Sequence, residues 1–470
     1  MRLTTLAFAL ALLVPLPSHA QQATRIGDAA LSRAAQLRAR ALQDDTGFKV
    51  VESLTTEVGP RLAGSAGDER AVAWAAAKFK ALGYDKVWTE PVTFPKWERR
   101  SESGRVLGAR GQSLYLTALG GSPGGAVEAE VVRFASLDAL QQAAPGSLSG
   151  KIAYVDHRMQ RARDGSGYGA ASAVRSRGPS AAIRAGAIGY LMRSAGTDSH
   201  RNPHTGITRY DEGLTPIPSA ALSVPDAEQL SRLLALGPVR VGFRLDCGWN
   251  GTYTSQNVIG EITGRSKPGE VVVIGGHLDS WDLGTGAIDD GAGIGITMAA
   301  GHLIGRLPRS QRPQRTIRVI AFANEEQGLY GGKAYATKYT GDLRKHQLGA
   351  ESDFGAGRVY AFAAKIPEYA KPAVLQIAQA LAPLGIEYRP DGEGCGPDLS
   401  PFAEIGMACA RLLQDGTDYF DLHHTPDDTL DKIDPRAMAQ NVAAYAVFAY
   451  LAADADGDFG SAPKAAPPAN

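Results

Sequence analysis

Val271-Val272-Val273-Ile274-Gly275-Gly276-His277-Leu278-Asp279 reads as a strand that ends in Gly-Gly and then delivers an imidazole and a carboxylate. Its unbroken β-branched run has no polar position, the pattern of a strand buried on both faces of a parallel sheet. Towards the C-terminus, the spacing predicts a helix over about 293–306, a second buried strand over 316–322 and a Gly-interrupted helix around 328–339. Strands are expected near 359–363 and 409–414, and helices over about 367–382 and 435–453. Such alternation predicts an α/β fold with a mostly parallel central sheet covered by helices.

Towards the N-terminus the texture changes. Gly120-Gly121 and Gly124-Gly125 open a region of short strand-like runs at 151–155, 187–192, 217–222 and 239–245, with helical stretches at 181–185 and 226–236 between them. This predicts a smaller α/β unit over 118–248, inserted into a larger domain built from 21–117 and 249–456. Ala-rich helices are expected within the first of these pieces, at 31–39 and 70–82, and Gly83 stops the second. Residues 457–470, rich in Ala and Pro, read as a loose, disordered tail.

The first twenty residues read as a cleavable leader. Arg2 precedes an apolar stretch over 3–14, too short to span a bilayer core of about 30 Å, and Ser18-His19-Ala20 supplies small residues at a cleavage site. The expected location is therefore periplasmic or secreted, and no later segment is both long and apolar enough to anchor the chain in a membrane. Lys+Arg and Asp+Glu both number 49, so the charge balance gives no reason to expect nucleic acid as a partner. Three cysteines exclude a disulfide scaffold; Cys395 and Cys409 are the nearest pair, and three free buried thiols are the default reading.

Chemistry-bearing residues stand where strands should end. His277 and Asp279 follow the first strand, and Asp289-Asp290 precede the helix at 293. Glu325-Glu326 follow the second strand, Asp353 follows a short apolar segment, and His423-His424 follow the last predicted strand. Each has an ordinary reading taken alone: a turn, a helix cap, a solvated first turn. The carboxyl ends of parallel strands converge on one crevice, however, so these groups can meet. Imidazoles and carboxylates without thiolates suit zinc in a catalytic setting. His277, Asp289, Glu326, Asp353 and His424 could serve two metals if one carboxylate bridges, holding a water between them and leaving Glu325 free to move a proton.

Gly276-His277-Leu278-Asp279-Ser280-Trp281-Asp282, Gly286-Ala287-Ile288-Asp289-Asp290-Gly291, Glu325-Glu326-Gln327-Gly328, Glu351-Ser352-Asp353 and Tyr419-Phe420 with His423-His424 resemble the co-catalytic di-zinc exopeptidase family. The similarity extends over about 45–453, and the unit at 118–248 resembles the protease-associated insert of such enzymes. The resemblance implies a secreted hydrolase of short unblocked peptides, acting as a dipeptidase or carboxypeptidase, with two zinc ions per chain and a homodimeric assembly. It implies that His277, Asp289 and Asp353 hold one zinc, that Asp289, Glu326 and His424 hold the other, and that the peptide bond between Asp289 and Asp290 is cis. Glu325 would be the general base, and Asp279 would orient His277. His423 stands where some relatives carry an oxyanion-stabilising tyrosine; it either takes that part or packs. Cys395-Gly396-Pro397-Asp398 departs from the family's pattern, which leaves the substrate open. An aminopeptidase of the same family, a single-zinc glutaminyl cyclase-like transferase and a non-catalytic binding protein are the alternatives. A carboxypeptidase needs a cation for the substrate carboxylate, and Arg201 and Arg209 flank His204 in the insert.

Overall fold

Strands Arg315–Phe322, Lys267–His277, His346–Glu351 and Cys409–Gln414 lie side by side and parallel in that order. Val359–Lys365 closes one side of this group and Arg240–Ile262 the other, both antiparallel. The computed structural model describes residues 22–392 and 394–464, so the expected leader over 1–20 lies outside the described residues.

The β-branched run at 271–274 sits at the centre of this sheet. Val272 and Ile274 face one layer, with helices Ala292–Gly305 and Pro435–Asp454, while Val271 and Val273 face another, with Tyr335 and Phe402. Side chains of a strand alternate between faces, so an unbroken apolar run requires a cover on both. Helix Pro435–Asp454 is buried along nearly its whole length, and Asp434 caps it by accepting from the N–H groups of Arg436 and Ala437.

The expected α/β class and the parallel sheet covered by helices are present. The strand expected at 239–245 runs on to Ile262, and its long partner was not anticipated. Lys86–Val106 and Arg240–Ile262 pair antiparallel from Lys86 opposite Glu261 to Val106 opposite Val241, and run from the main sheet out to a smaller unit. There Gly125–Phe134, Ile152–Val155, Gly189–Arg193 and Ser219–Leu222 form successive parallel pairs, flanked by helices Tyr168–Arg184 and Val224–Ala235. The junction expected at 248–249 falls inside Arg240–Ile262, so the two units share a strand.

The C-terminal segment also differs from expectation over its described part. Instead of a loose tail, residues 457–464 dock on the main domain: Phe459 is fully buried, Arg315 donates to the Gly457 carbonyl, and Ala462 N–H donates to Gly406 O at 3.1 Å. Residues 465–470 lie outside the described residues. Cys395 and Cys409 form a disulfide, with Cys247 free and buried, which replaces the expectation of three free thiols. No helix among the described residues is long and apolar enough to cross a membrane.

Candidate active site

His277 ends its strand, and its approach is shaped by glycine. A Cβ at Gly276 would lie 2.3 Å from Asp290 Oδ2 and 3.1 Å from the Ser352 carbonyl, so the loop and the strand can close only on a bare backbone. Asp290 spends both oxygens on this closure, accepting from His277 N–H at 3.0 Å and Gly293 N–H at 3.0 Å. That leaves its neighbour, across the cis bond expected for Asp289-Asp290, as the carboxylate that faces the crevice.

Asp289 divides its oxygens between two imidazoles. Oδ1 lies 3.1 Å from His277 Nε2, and Oδ2 lies 3.2 Å from His424 Nε2. Asp353 Oδ1 is 3.6 Å from His277 Nε2 on the first side, and Glu326 Oε2 is 2.9 Å from His424 Nε2 on the second. The structure thus brings all five expected ligands together, in two sets that share Asp289. His423 stacks on His424 with ring centroids 3.4 Å apart and reaches Asp289 Oδ2 only at 3.6 Å. Burial pushes its imidazole well below the usual range, with the neighbouring His424 acting in the same direction.

The role expected of Asp279 is redistributed. Its backbone carbonyl, not its carboxylate, meets His277 Nδ1 at 3.0 Å, the carboxylate oxygen being 3.6 Å away. The carboxylate instead accepts from Glu325 N–H at 3.0 Å and Glu326 N–H at 3.4 Å, fixing the turn that carries both glutamates.

Three further residues shape the site that sequence reasoning missed. Arg61, fully buried, donates to the carbonyls of Leu278, Thr285 and Gly286 and so pins the loop between His277 and Asp289. Asp428 accepts from Ile288 N–H at 2.6 Å and Asp289 N–H at 3.3 Å. Thr205 of the smaller unit offers its carbonyl to His424 Nδ1 at 3.2 Å. All three act on backbone or through it, which leaves no ligand-like spacing to find.

The donor chemistry fits divalent cations. Imidazole nitrogens and carboxylate oxygens converge within 4.8 Å in overlapping sets, and the buried Oε1 of Glu326 has no hydrogen-bond partner among the described residues. Burial alone would lower His277 and His424, yet the surrounding carboxylates hold both imidazoles well above their usual range. A cradle that draws protons onto buried imidazoles is one whose negative charge calls for cations.

A cavity of about 470 Å³ opens beside these groups, lined by Glu325, His423 and His424 from the main domain and by Tyr168, Arg175 and Arg209 from the smaller unit. Glu325 is half-buried there. Desolvation, with the carboxylates of Asp353, Glu326 and Asp398, holds it well above the ordinary glutamate range against the pull of His277. Of the two arginines singled out in the sequence, Arg201 is committed elsewhere, bidentate to Asp226 at 2.8 and 2.6 Å. Arg209 reaches the cavity, and Arg175, which the sequence reading passed over, joins it.

Residues 257–449 match the family described as peptidase family M28. Carboxypeptidase Q of Mus musculus is 35% identical over 409 residues, covering 86% of this chain and 84% of that protein. The chain belongs to peptidase family M28. Membership makes it a hydrolase of peptide bonds, a metallo-exopeptidase in class. Among solved M28 structures, a peptidase M28 precursor from Shewanella amazonensis SB2B is 46% identical, covers 94% of this chain and 100% of its own, and superposes with a TM-score of 0.89. The aminopeptidase from Aneurinibacillus sp. strain AM-1 shares the fold at 22% identity, with a TM-score of 0.63 over 93% of this chain and 100% of its own.

Proposed function

We propose that this M28 member is an exported di-zinc exopeptidase that removes residues from short peptides bearing a free C-terminal carboxylate. The observation that carries the reading is the shared carboxylate: Asp289 stands between His277 with Asp353 and His424 with Glu326, while the adjacent Glu325 is left facing the cavity. Asp289 would bridge, His277 and Asp353 would complete one site, and Glu326 and His424 the other. Bound there, zinc supplies Lewis acidity and lowers the pKa of a coordinated water towards about 7.

Glu325 accepts the proton of the attacking water and returns it to the leaving amine, the task for which a raised carboxyl pKa is suited. Asp279 holds Glu325 on the rim while turning Glu326 inward, so that one turn separates the proton carrier from the ligand. The neutral, buried His423 fits the oxyanion side, where its ring lies against that of His424. Across the cavity, Arg209 forms no salt bridge with a described residue, and Arg175 is held by the Tyr168 hydroxyl at 2.7 Å. Two guanidinium groups opposite the reacting carbonyl support recognition of a carboxylate end. The smaller unit takes the part of a protease-associated insert, bringing those cations to the site.

The test is a panel of free dipeptides, N-blocked dipeptides and dipeptide amides, assayed before and after chelation and after zinc is returned. Free dipeptides are expected to be cleaved, with loss on chelation, recovery with zinc, and poor cleavage of the amides. Amides cleaved as fast as free acids would move the reading to an aminopeptidase. One zinc per chain with no peptide hydrolysis would move it to a glutaminyl cyclase-like transferase.

A further inference from the structure

The two imidazoles of the site are positioned by different parts of the molecule. His277 Nδ1 is met by the carbonyl of Asp279, two residues along its own loop, at 3.0 Å. His424 Nδ1 is met by the carbonyl of Thr205 in the smaller unit, 219 positions away, at 3.2 Å. A carbonyl only accepts, so in each ring Nδ1 donates to it and Nε2 is the nitrogen that faces the crevice. Thr205 also donates its N–H to the His424 carbonyl at 3.0 Å, so one residue brackets His424 from both ends.

That bracket acts on strained backbone. His424 has φ of 64°, a left-handed conformation that is unfavourable for a histidine and persists only where the surroundings enforce it. The smaller unit grips the same turn a second time, through Asp421. Its carboxylate, 7% exposed, accepts from Thr197 N–H at 2.6 Å, Thr197 Oγ1 at 2.8 Å and Asp198 N–H at 3.1 Å, and pairs with Arg161. Every one of these partners lies in the smaller unit. The turn Tyr419–Leu422 and the two histidines after it are therefore clasped at both ends by segments 197–198 and 205.

We propose that Asp421 is a positioning residue, and that its clasp by Thr197 and Asp198, together with the Thr205 bracket, makes the seating of the smaller unit a condition for metal binding at the Glu326–His424 half of the site but not at the His277–Asp353 half. The inference rests on the two-zinc reading above. Its chemistry is ordinary: an outer partner that fixes the orientation of a ligating histidine typically changes metal affinity by about 10–100-fold. What is particular to this chain is that the partner belongs to another unit, so the second site reports on how the two units sit.

The experiment is calorimetric titration of the metal-stripped protein with Zn²⁺, comparing wild type, Asp421→Ala and Arg163→Ala. Arg163 also ties the two units, to Asp415 at 2.9 Å, but off the histidine turn. Asp421→Ala is expected to bind its first zinc like wild type and its second at least about tenfold more weakly. Turnover is expected to recover as zinc is raised, and KM to change little. Arg163→Ala is expected to bind both zincs as wild type does. Equal weakening of both zincs by Asp421→Ala, or the same loss in Arg163→Ala, would reduce the clasp to general stability and overturn the proposal. So would an Asp421→Ala protein that binds both zincs normally. Should Asp421→Ala fail to fold, Thr197→Val removes the hydroxyl that donates to Asp421 and accepts from Arg161 Nε, and keeps the Thr197 N–H bond; it is expected to weaken the second zinc alone, and unchanged binding in it would overturn the proposal equally. A wild type that binds a single zinc would instead overturn the two-zinc reading itself.

Discussion

Asp279 takes the N–H groups of both Glu325 and Glu326 on one carboxylate, and so decides that adjacent side chains of the same kind do different work. Glu326 is driven inward against His424, and Glu325 is left where desolvation raises its pKa and the cavity admits substrate. Glu325→Gln keeps the size and the hydrogen-bonding outline of the side chain but cannot take a proton. It is expected to lower kcat by about 10²–10⁴-fold while zinc content and thermal stability stay at wild-type levels. Steady-state kinetics with metal analysis on the same preparation checks this, and near-normal turnover with both zincs bound would assign the proton to another group. The five residues proposed as ligands were legible in the sequence because imidazoles and carboxylates at the ends of buried strands have few other reasons to cluster. Arg61, Asp428 and Thr205 were not, because each serves the site through a peptide group, and any residue could have supplied that peptide group.

At the scale of elements, the strands that read clearly were those whose two faces are both covered. The run 271–274 is apolar at every position because helices lie on each side of it. Lys86–Val106 has no such signature: it interleaves charged and apolar residues, contains Pro91 and Pro95, and finds its partner only in Arg240–Ile262 far along the chain. The helix Thr46–Glu57 escaped for a related reason, since its amphipathic face is made by a few residues such as Val50, Val51 and Leu54 among polar ones. The strand His346–Glu351 carries a titration that can be tested. His346 is enclosed by Tyr335, Tyr339 and Phe402; Nδ1 donates to the Asp342 carbonyl at 3.0 Å and Nε2 accepts from the Tyr335 hydroxyl at 2.8 Å. The bond accepted by Nε2 requires the neutral ring, and burial, aided by the Arg318 charge, lowers its pKa from 6.5 to about 4 against the opposing pull of the Asp342 carbonyl. The folded value lies below the unfolded one, so this contribution to stability is complete above about pH 6.5 and is lost as pH falls towards 4. Relative to wild type, His346→Gln is expected to be destabilised at pH 7 and to close the gap by up to roughly 3 kcal/mol on acidification. Urea unfolding of both proteins at several pH values between 7 and 4 measures the gap; parallel curves would show that His346 does not titrate in this range.

For the whole molecule, the site depends on pieces that the chain separates widely: the smaller unit on one side of the cavity, and on another the segment Cys395-Gly396-Pro397-Asp398. Gly396 and Pro397 line the cavity, and the Cys395 carbonyl accepts from Glu351 N–H at 2.8 Å, at the end of the strand that leads to Asp353. The disulfide from Cys395 to Cys409 therefore ties a wall of the substrate cavity to the start of the last parallel strand. Spacing alone could not establish the bond, because bonded and free buried cysteines look alike in sequence. Its presence is consistent with export from the reducing cytosol. The bond closes a loop with a sequence separation of 14, for which the chain-entropy contribution is about 3 kcal/mol. Replacing both cysteines by serine is expected to cost roughly that much stability and to raise KM for free dipeptides as the wall loosens. Of the five proposed metal ligands only Asp353 follows the strand that Cys395 meets, and the contact is a backbone bond, so zinc content should hold. Loss of zinc in step with activity would mean that the disulfide supports the metal cradle rather than the cavity wall, and unchanged KM with lowered stability would leave it only a structural tie.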